Sequence, residues 1–301
     1  MKSLLVLFFT LCLGCSILAQ TQIELKISDG ILHVTTFGEG PALVVINGGP
    51  GMSSNGFVGL AESLCETNTV ILFDQRGTGK SVMNEVSAKT ITMDLMVADM
   101  EVIRKNLGFE EWIVMGHSFG GMLASYYTSK FPERVKGLIL SSSGGLDLSL
   151  LNTLNITARL SQKDQDSLNF WNNKIRNGDT SFHASLQRGT YLAPAYLYDN
   201  THRNKIAQRL TEGNSQINSL VWQNLRAINY DCKKEIETYK KPVLIIQGAQ
   251  DIIDKNIATS SHRLFSNSDL VFIDNCAHYG WLEQPEVYYG SLNRFLMKVA
   301  G

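Results

Sequence analysis

Ser118 lies in the stretch "WIVMGHSFGGMLASYY", where an apolar strand-like run meets Gly116-His117-Ser118-Phe119-Gly120 and passes into a helix-forming segment. G-x-S-x-G alone is a common pattern; between a strand and a helix it reads as a nucleophile elbow. Small residues at 116 and 120 let the chain reverse sharply, and the helix N-terminus favours negative charge developing near the hydroxyl. A serine hydroxyl attacks poorly until a base takes its proton. In this motif an acid and then a histidine are expected downstream, in that order. "PVLIIQGAQD" ends a strand-like run and delivers Asp251, and "LVFIDNCAHYGWLEQP" delivers His278 just before a final helix. Asp254 is the competing acid, but its place before "KNIATSSHRLF" is that of a helix N-cap. Asp274 also stands near His278, at a strand end where solvent can reach it. His117 is expected to point away from the reacting atoms and to pack or bond locally. His33, His183, His202 and His262 are scattered without H-x-x-x-H spacing, so a metal site is not expected.

A second glycine-rich turn follows the apolar run in "LVVINGGPGMS". It lacks the lysine of a G-x-x-x-x-G-K-[ST] phosphate loop. The later "DQRGTGKS" places Asp74 where the first glycine of that motif must be, and G-x-G-x-x-G fails at Ser54. A loop after the third strand and the residue after the nucleophile supply the oxyanion hole in the elbow architecture. The amides of Gly49 and Phe119 are therefore the expected donors to a transient alkoxide, and the glycines let backbone approach the substrate.

These side chains need a scaffold. "IELKIS" and "ILHVTTF" flank Asp29-Gly30, a hairpin signal. Continuous β-branched runs follow at 42–46, 69–74, 112–116, 135–142, 242–248 and 270–274, suited to strands buried on both faces. Helical periodicity at 92–107 and 120–131 alternates with them, and Thr92 stands as a cap. The pattern predicts an α/β fold with a mostly parallel, eight-stranded sheet flanked by helices, built from 21–145 and 240–301. Between them, 146–239 is polar, lacks strong strand runs and reads as a helical cap insertion.

The chain has 301 residues, 44% hydrophobic and 18% charged, with a formal net charge of −1. That is enough apolar content for a full core and too little charge to attract nucleic acid. The opening "MKSLLVLFFTLCLGCSILAQ" reads as a signal peptide over residues 1–20, too short for a comfortable membrane span. An uncleaved anchor is the alternative, as is lipidation of Cys15. The mature chain is thus expected to be exported, periplasmic or secreted, with no stable membrane insertion after signal removal. Cys65, Cys232 and Cys276 then remain, too few for a disulfide framework.

With these motifs the chain resembles the α/β-hydrolase superfamily, and within it the prolyl aminopeptidase (proline iminopeptidase) family. "NGGPG" is similar to that family's H-G-G-P-G, "FDQRGTGKS" to its D-Q-R-G-x-G-x-S, and "GHSFGG" to its nucleophile motif. The resemblance covers roughly residues 23–145 and 240–300. It implies a Ser118–His278–Asp251 triad acting without cofactor on a short peptide with a free N-terminus, such as one beginning with proline. Three departures bear on the substrate. Asn47 stands for the family histidine, and Ile252 stands where relatives carry a Glu that binds the substrate amine. The second amine-binding Glu has no obvious counterpart, and Glu212 is the nearest candidate. An esterase, a lactonase or carbon–carbon bond hydrolase on small molecules, and a non-catalytic binding protein remain the alternatives.

Overall fold

The computed structural model describes residues 20–149 and 154–300. The N-terminal apolar segment up to residue 19, with Cys15, lies outside the described residues. Strands β1 (Gln20–Ile27) and β2 (Gly30–Phe37) form the opening hairpin, Ile27 facing Gly30 across a Ser28-Asp29 turn. The turn thus sits one residue earlier than Asp29-Gly30. Gly30 begins β2, where a Cβ would lie 2.2 Å from the Val82 carbonyl oxygen.

The remaining strands are β3 (Ala42–Ile46), β4 (Thr69–Phe73), β5 (Val82–Met83), β6 (Trp112–His117), β7 (Val135–Ser141), β8 (Val243–Gly248) and β9 (Ser268–Ile273). They form one sheet in the order β1-β2-β4-β3-β6-β7-β8-β9, with β5 paired to β2. Pairing is antiparallel among β1, β2, β4 and β5 and parallel from β4 through β3 to β9. Among the described residues the sheet therefore has nine strands where eight were expected, because β5 is only two residues long and carries no periodicity to read.

The helices are α1 (Val58–Leu64), α2 (Met93–Asn106), α3 (Phe119–Lys130), α4 (Gln162–Arg176), α5 (Phe182–Leu192), α6 (Arg203–Leu210), α7 (Ser215–Ala227), α8 (Lys233–Ile236), α9 (Lys255–Leu264), α10 (Gly280–Glu283) and α11 (Pro285–Ala300). Side chains alternate across the central strands. Val44, Ile46 and Val114 pack on one face with Met100 and Ile103 of α2 and Leu123 of α3. Leu43, Val45 and Met115 pack on the other with Leu60 of α1 and Phe295 of α11. Burial on both faces is why these strands read as unbroken apolar runs. The described chain between β7 and β8 contains helices α4 to α8 and no strand. Part of it buries a small apolar cluster of its own, formed by Leu160, Leu168 and Ala195.

Candidate active site

Ser118 stands between β6 and α3 at φ 57°, ψ −120°. A non-glycine residue holds such a backbone only at a cost of about 1–3 kcal/mol, offset by its surroundings. Here its N–H donates to the Ser141 carbonyl at 3.0 Å, and its own carbonyl accepts from Gly121 and Gly144. The flanking glycines permit the turn to close. A Cβ at Gly116 would lie 2.1 Å from the Gly120 oxygen, and one at Gly120 would lie 2.2 Å from the Ile46 oxygen. The motif's small residues thus answer to the packing of the elbow on β3 as well as to the reversal itself.

His278 lies beyond β9 and Asp251 beyond β8, so both hang from the same sheet edge as the elbow. His278 Nδ1 is 2.7 Å from Asp251 Oδ1, and the two side chains are 3% and 0% exposed. A carboxylate at that distance orients Nδ1–H toward itself and leaves Nε2 with its lone pair for another partner. Ile253 N–H also donates to Asp251 Oδ1. Asp254 instead caps α9, accepting from Asn256 N–H at 2.7 Å, and Asp274 is exposed at the strand end. The helical segment grips both loops. Arg159 donates to the Asp251 and Gln250 carbonyls, and His278 N–H donates to the Tyr196 carbonyl. Glu283 accepts from Ala277 and Tyr198 N–H on either side of that seam.

The loop after β3 passes beside the elbow, close enough that a Cβ on Gly48 would meet Ser118 Cβ at 2.6 Å. Gly49 has φ +74°, which favours glycine there. No hydrogen bond to another described residue occupies the Gly49 or Phe119 N–H. Asn47 is fully buried and donates to the Gly48 and Met52 carbonyls, so it closes the loop from beneath. Gln75 holds Asn47 in turn at 2.9 Å. Arg209 of α6 donates to the Gly48 carbonyl at 3.1 Å and lies over the Phe57 ring. Arg76, placed deeper, pairs with Asp29 at 2.6 Å and Asp99 at 2.8 Å and so braces the "DQRG" turn.

A cavity of about 520 Å³ opens over these groups, lined by Gly49, Ser118, Phe119 and His278 on its sheet side. Met52, Leu192 and Trp222 are among its apolar walls. The helical segment adds Arg188 and Arg209, and among the described residues no Asp or Glu lines it. Glu212 is the principal correction to the sequence-based expectation. Its carboxylate accepts from Ser53 Oγ at 2.5 Å beside Arg209 and does not line the cavity. His117 packs and bonds locally as expected, with its Nδ1 3.4 Å from Ser141 Oγ and its ring 4.6 Å from that of His278 and edge-on to Trp281. Burial, with help from His278 and Arg209, holds its pKa well below the usual imidazole value, so the ring is neutral. A strand-end residue beside the elbow has little solvent to turn toward, which is why it packs inward.

Among the described residues no cluster of His, Cys, Asp and Glu is arranged to hold a metal. Cys65, Cys232 and Cys276 are unpaired and buried. No described helix is long and apolar enough to cross a membrane.

The chain belongs to the alpha/beta hydrolase fold family, which it matches over residues 41–285. It is 28% identical to a proline iminopeptidase of Thermoplasma volcanium over 274 residues, 85% of this chain and 88% of that relative. A proline iminopeptidase of Lactobacillus helveticus is 25% identical over 280 residues, 86% of this chain and 90% of its own length. Among solved structures, an alpha/beta fold family hydrolase from Bacillus anthracis superposes with a TM-score of 0.76 at 19% identity, covering 92% of this chain and 99% of that one. The hydrolase class follows from the family and these relatives.

Proposed function

We propose that the protein is a serine hydrolase that cleaves small esters or amides through an acyl-enzyme. Ser118 attacks the carbonyl, His278 Nε2 takes its proton and returns it to the leaving group, and Asp251 holds the imidazole and stabilises the imidazolium. The Gly49 and Phe119 amides receive the tetrahedral oxyanion. The strained Ser118 elbow, opening into a cavity that it shares with an Asp251-paired His278, carries this reading. Turnover of 4-nitrophenyl esters by the wild type and by Ser118→Ala tests it; unchanged hydrolysis by the variant rejects it.

Release of N-terminal proline or another small residue from peptides is the second reading, favoured by the likeness to proline iminopeptidases over 85–86% of this chain. Such an enzyme must pair a substrate ammonium with a carboxylate when that charge leaves water. Among the described residues the cavity lining offers two arginines and no acid, so the ester and amide reading takes precedence. Prolyl and N-acetylprolyl 4-nitroanilides separate the two. A strong preference for the free amine supports the peptidase, and equal or absent cleavage supports the first reading.

A further inference from the structure

We infer that Arg188 recognises a carboxylate on the substrate, an assignment that rests on the hydrolase reading above. Of the two arginines lining the cavity, Arg209 is engaged by the Gly48 and Ser53 carbonyls, Glu212 and the Phe57 ring. Arg188, on α5, is half-buried and forms no ion pair with any described carboxylate. Its Nε–H donates to Asn172 Oδ1 of α4 at 3.0 Å. That bond fixes the plane of the guanidinium and leaves both terminal NH₂ groups without a protein acceptor among the described residues.

A guanidinium beside apolar walls without its counter-ion is unfavourable, and its planar fork matches a carboxylate in two parallel hydrogen bonds. Tyr196, also in the lining, adds a donor. Burial raises its phenol pKa and nearby Arg188 draws it partly back, so it stays protonated at neutral pH. Its hydroxyl has no hydrogen-bond partner among the described residues. With one unpaired cation in the described lining, the charge matched is a monoanion, better met by a carboxylate than by a phosphate dianion. A substrate ammonium would meet repulsion in the same place. The substrate class is therefore a small ester or amide whose acyl or leaving portion ends in a carboxylate.

Two substrate pairs test this on the purified protein. Mono-4-nitrophenyl adipate against its methyl ester places the charge on the acyl side. 4-Carboxyphenyl hexanoate against its methyl ester places it on the leaving side. The wild type is expected to favour the charged member of one pair by about 30-fold or more in kcat/KM, chiefly through KM, the loss usual for one desolvated charged partner. Arg188→Gln should abolish that preference while cleaving the neutral esters within about threefold of wild type, and Arg188→Lys should restore part of it. Adipamate, the monoanionic half-amide of adipic acid, should bind the wild type in calorimetry and not Arg188→Gln, whether or not the esters are cleaved. Equal treatment of charged and neutral esters, a preference that survives in Arg188→Gln, or no adipamate binding each overturns the inference. Adipamate binding that depends on Arg188, in a protein whose Ser118 cannot be labelled by a fluorophosphonate, rejects the hydrolase reading and leaves the carboxylate site standing.

Discussion

Asp251 and Asp254 are three positions apart and do different work. Asp251 meets His278 Nδ1, whereas Asp254 holds the first turn of α9. Asp251→Asn should slow turnover roughly 10⁴-fold by stabilising the wrong imidazole tautomer. Asp254→Asn should leave turnover unchanged and stability within a few tenths of a kcal/mol, since asparagine caps as well as aspartate. Steady-state rates and urea melts on the two variants check both, and a severe Asp254 effect beside a mild Asp251 effect would reverse the assignment. The strands whose ends lead to Ser118, Asp251 and His278 were legible in the sequence because an apolar run announces each. Arg188 and the true surroundings of Glu212 were not. They lie on helices between β7 and β8, where periodicity reveals a helix but not which neighbour its polar face meets.

At the scale of elements, the elbow depends on how closely α3 and β6 approach β3. Gly120→Ala places a methyl 2.2 Å from the Ile46 backbone oxygen, an overlap that no side-chain movement relieves. It should destabilise the protein by about 2 kcal/mol or more and reduce serine reactivity as well. Gly290→Ala, in the middle of α11 with no atom within 4 Å of the added carbon, should instead stabilise by about 0.5–1 kcal/mol. Denaturant midpoints for the pair separate a glycine required by packing from one that is only tolerated. The buried parallel strands were read to within about two residues because burial on both faces leaves long β-branched runs. Strand β5 and the one-residue displacement of the hairpin turn were not readable. Both follow from the approach of Val82 and Met83 to Gly30, a contact distant in sequence.

At the scale of the whole molecule, a buried network of Glu101, Arg104 and Tyr127 contributes to acid stability. Burial raises the Glu101 pKa, but hydrogen bonds from Arg104 and Tyr127 outweigh it and hold the carboxyl at about 2, below its ordinary 4.5. A depressed carboxylate stabilises the fold above its unfolded pKa and loses that contribution as pH falls through the folded value. The wild type should therefore lose stability progressively between pH 4.5 and about 2. Glu101→Gln should lower stability at pH 7 by about 3 kcal/mol, leaving Arg104 without its ion pair, and flatten that acid limb. Melting temperatures across pH report both effects. Export is a proposal at the same scale: the N-terminus of protein from the native host should fall between Cys15 and Ile23, and an intact Met1 on soluble cytoplasmic material contradicts it. The central claim, that Ser118 is the nucleophile activated by His278, is tested most directly by intact-mass and peptide mapping after fluorophosphonate treatment. The account predicts a single adduct on the peptide containing Ser118, absent in Ser118→Ala and strongly slowed in His278→Ala. An adduct on another residue, or labelling that persists in Ser118→Ala, would contradict it.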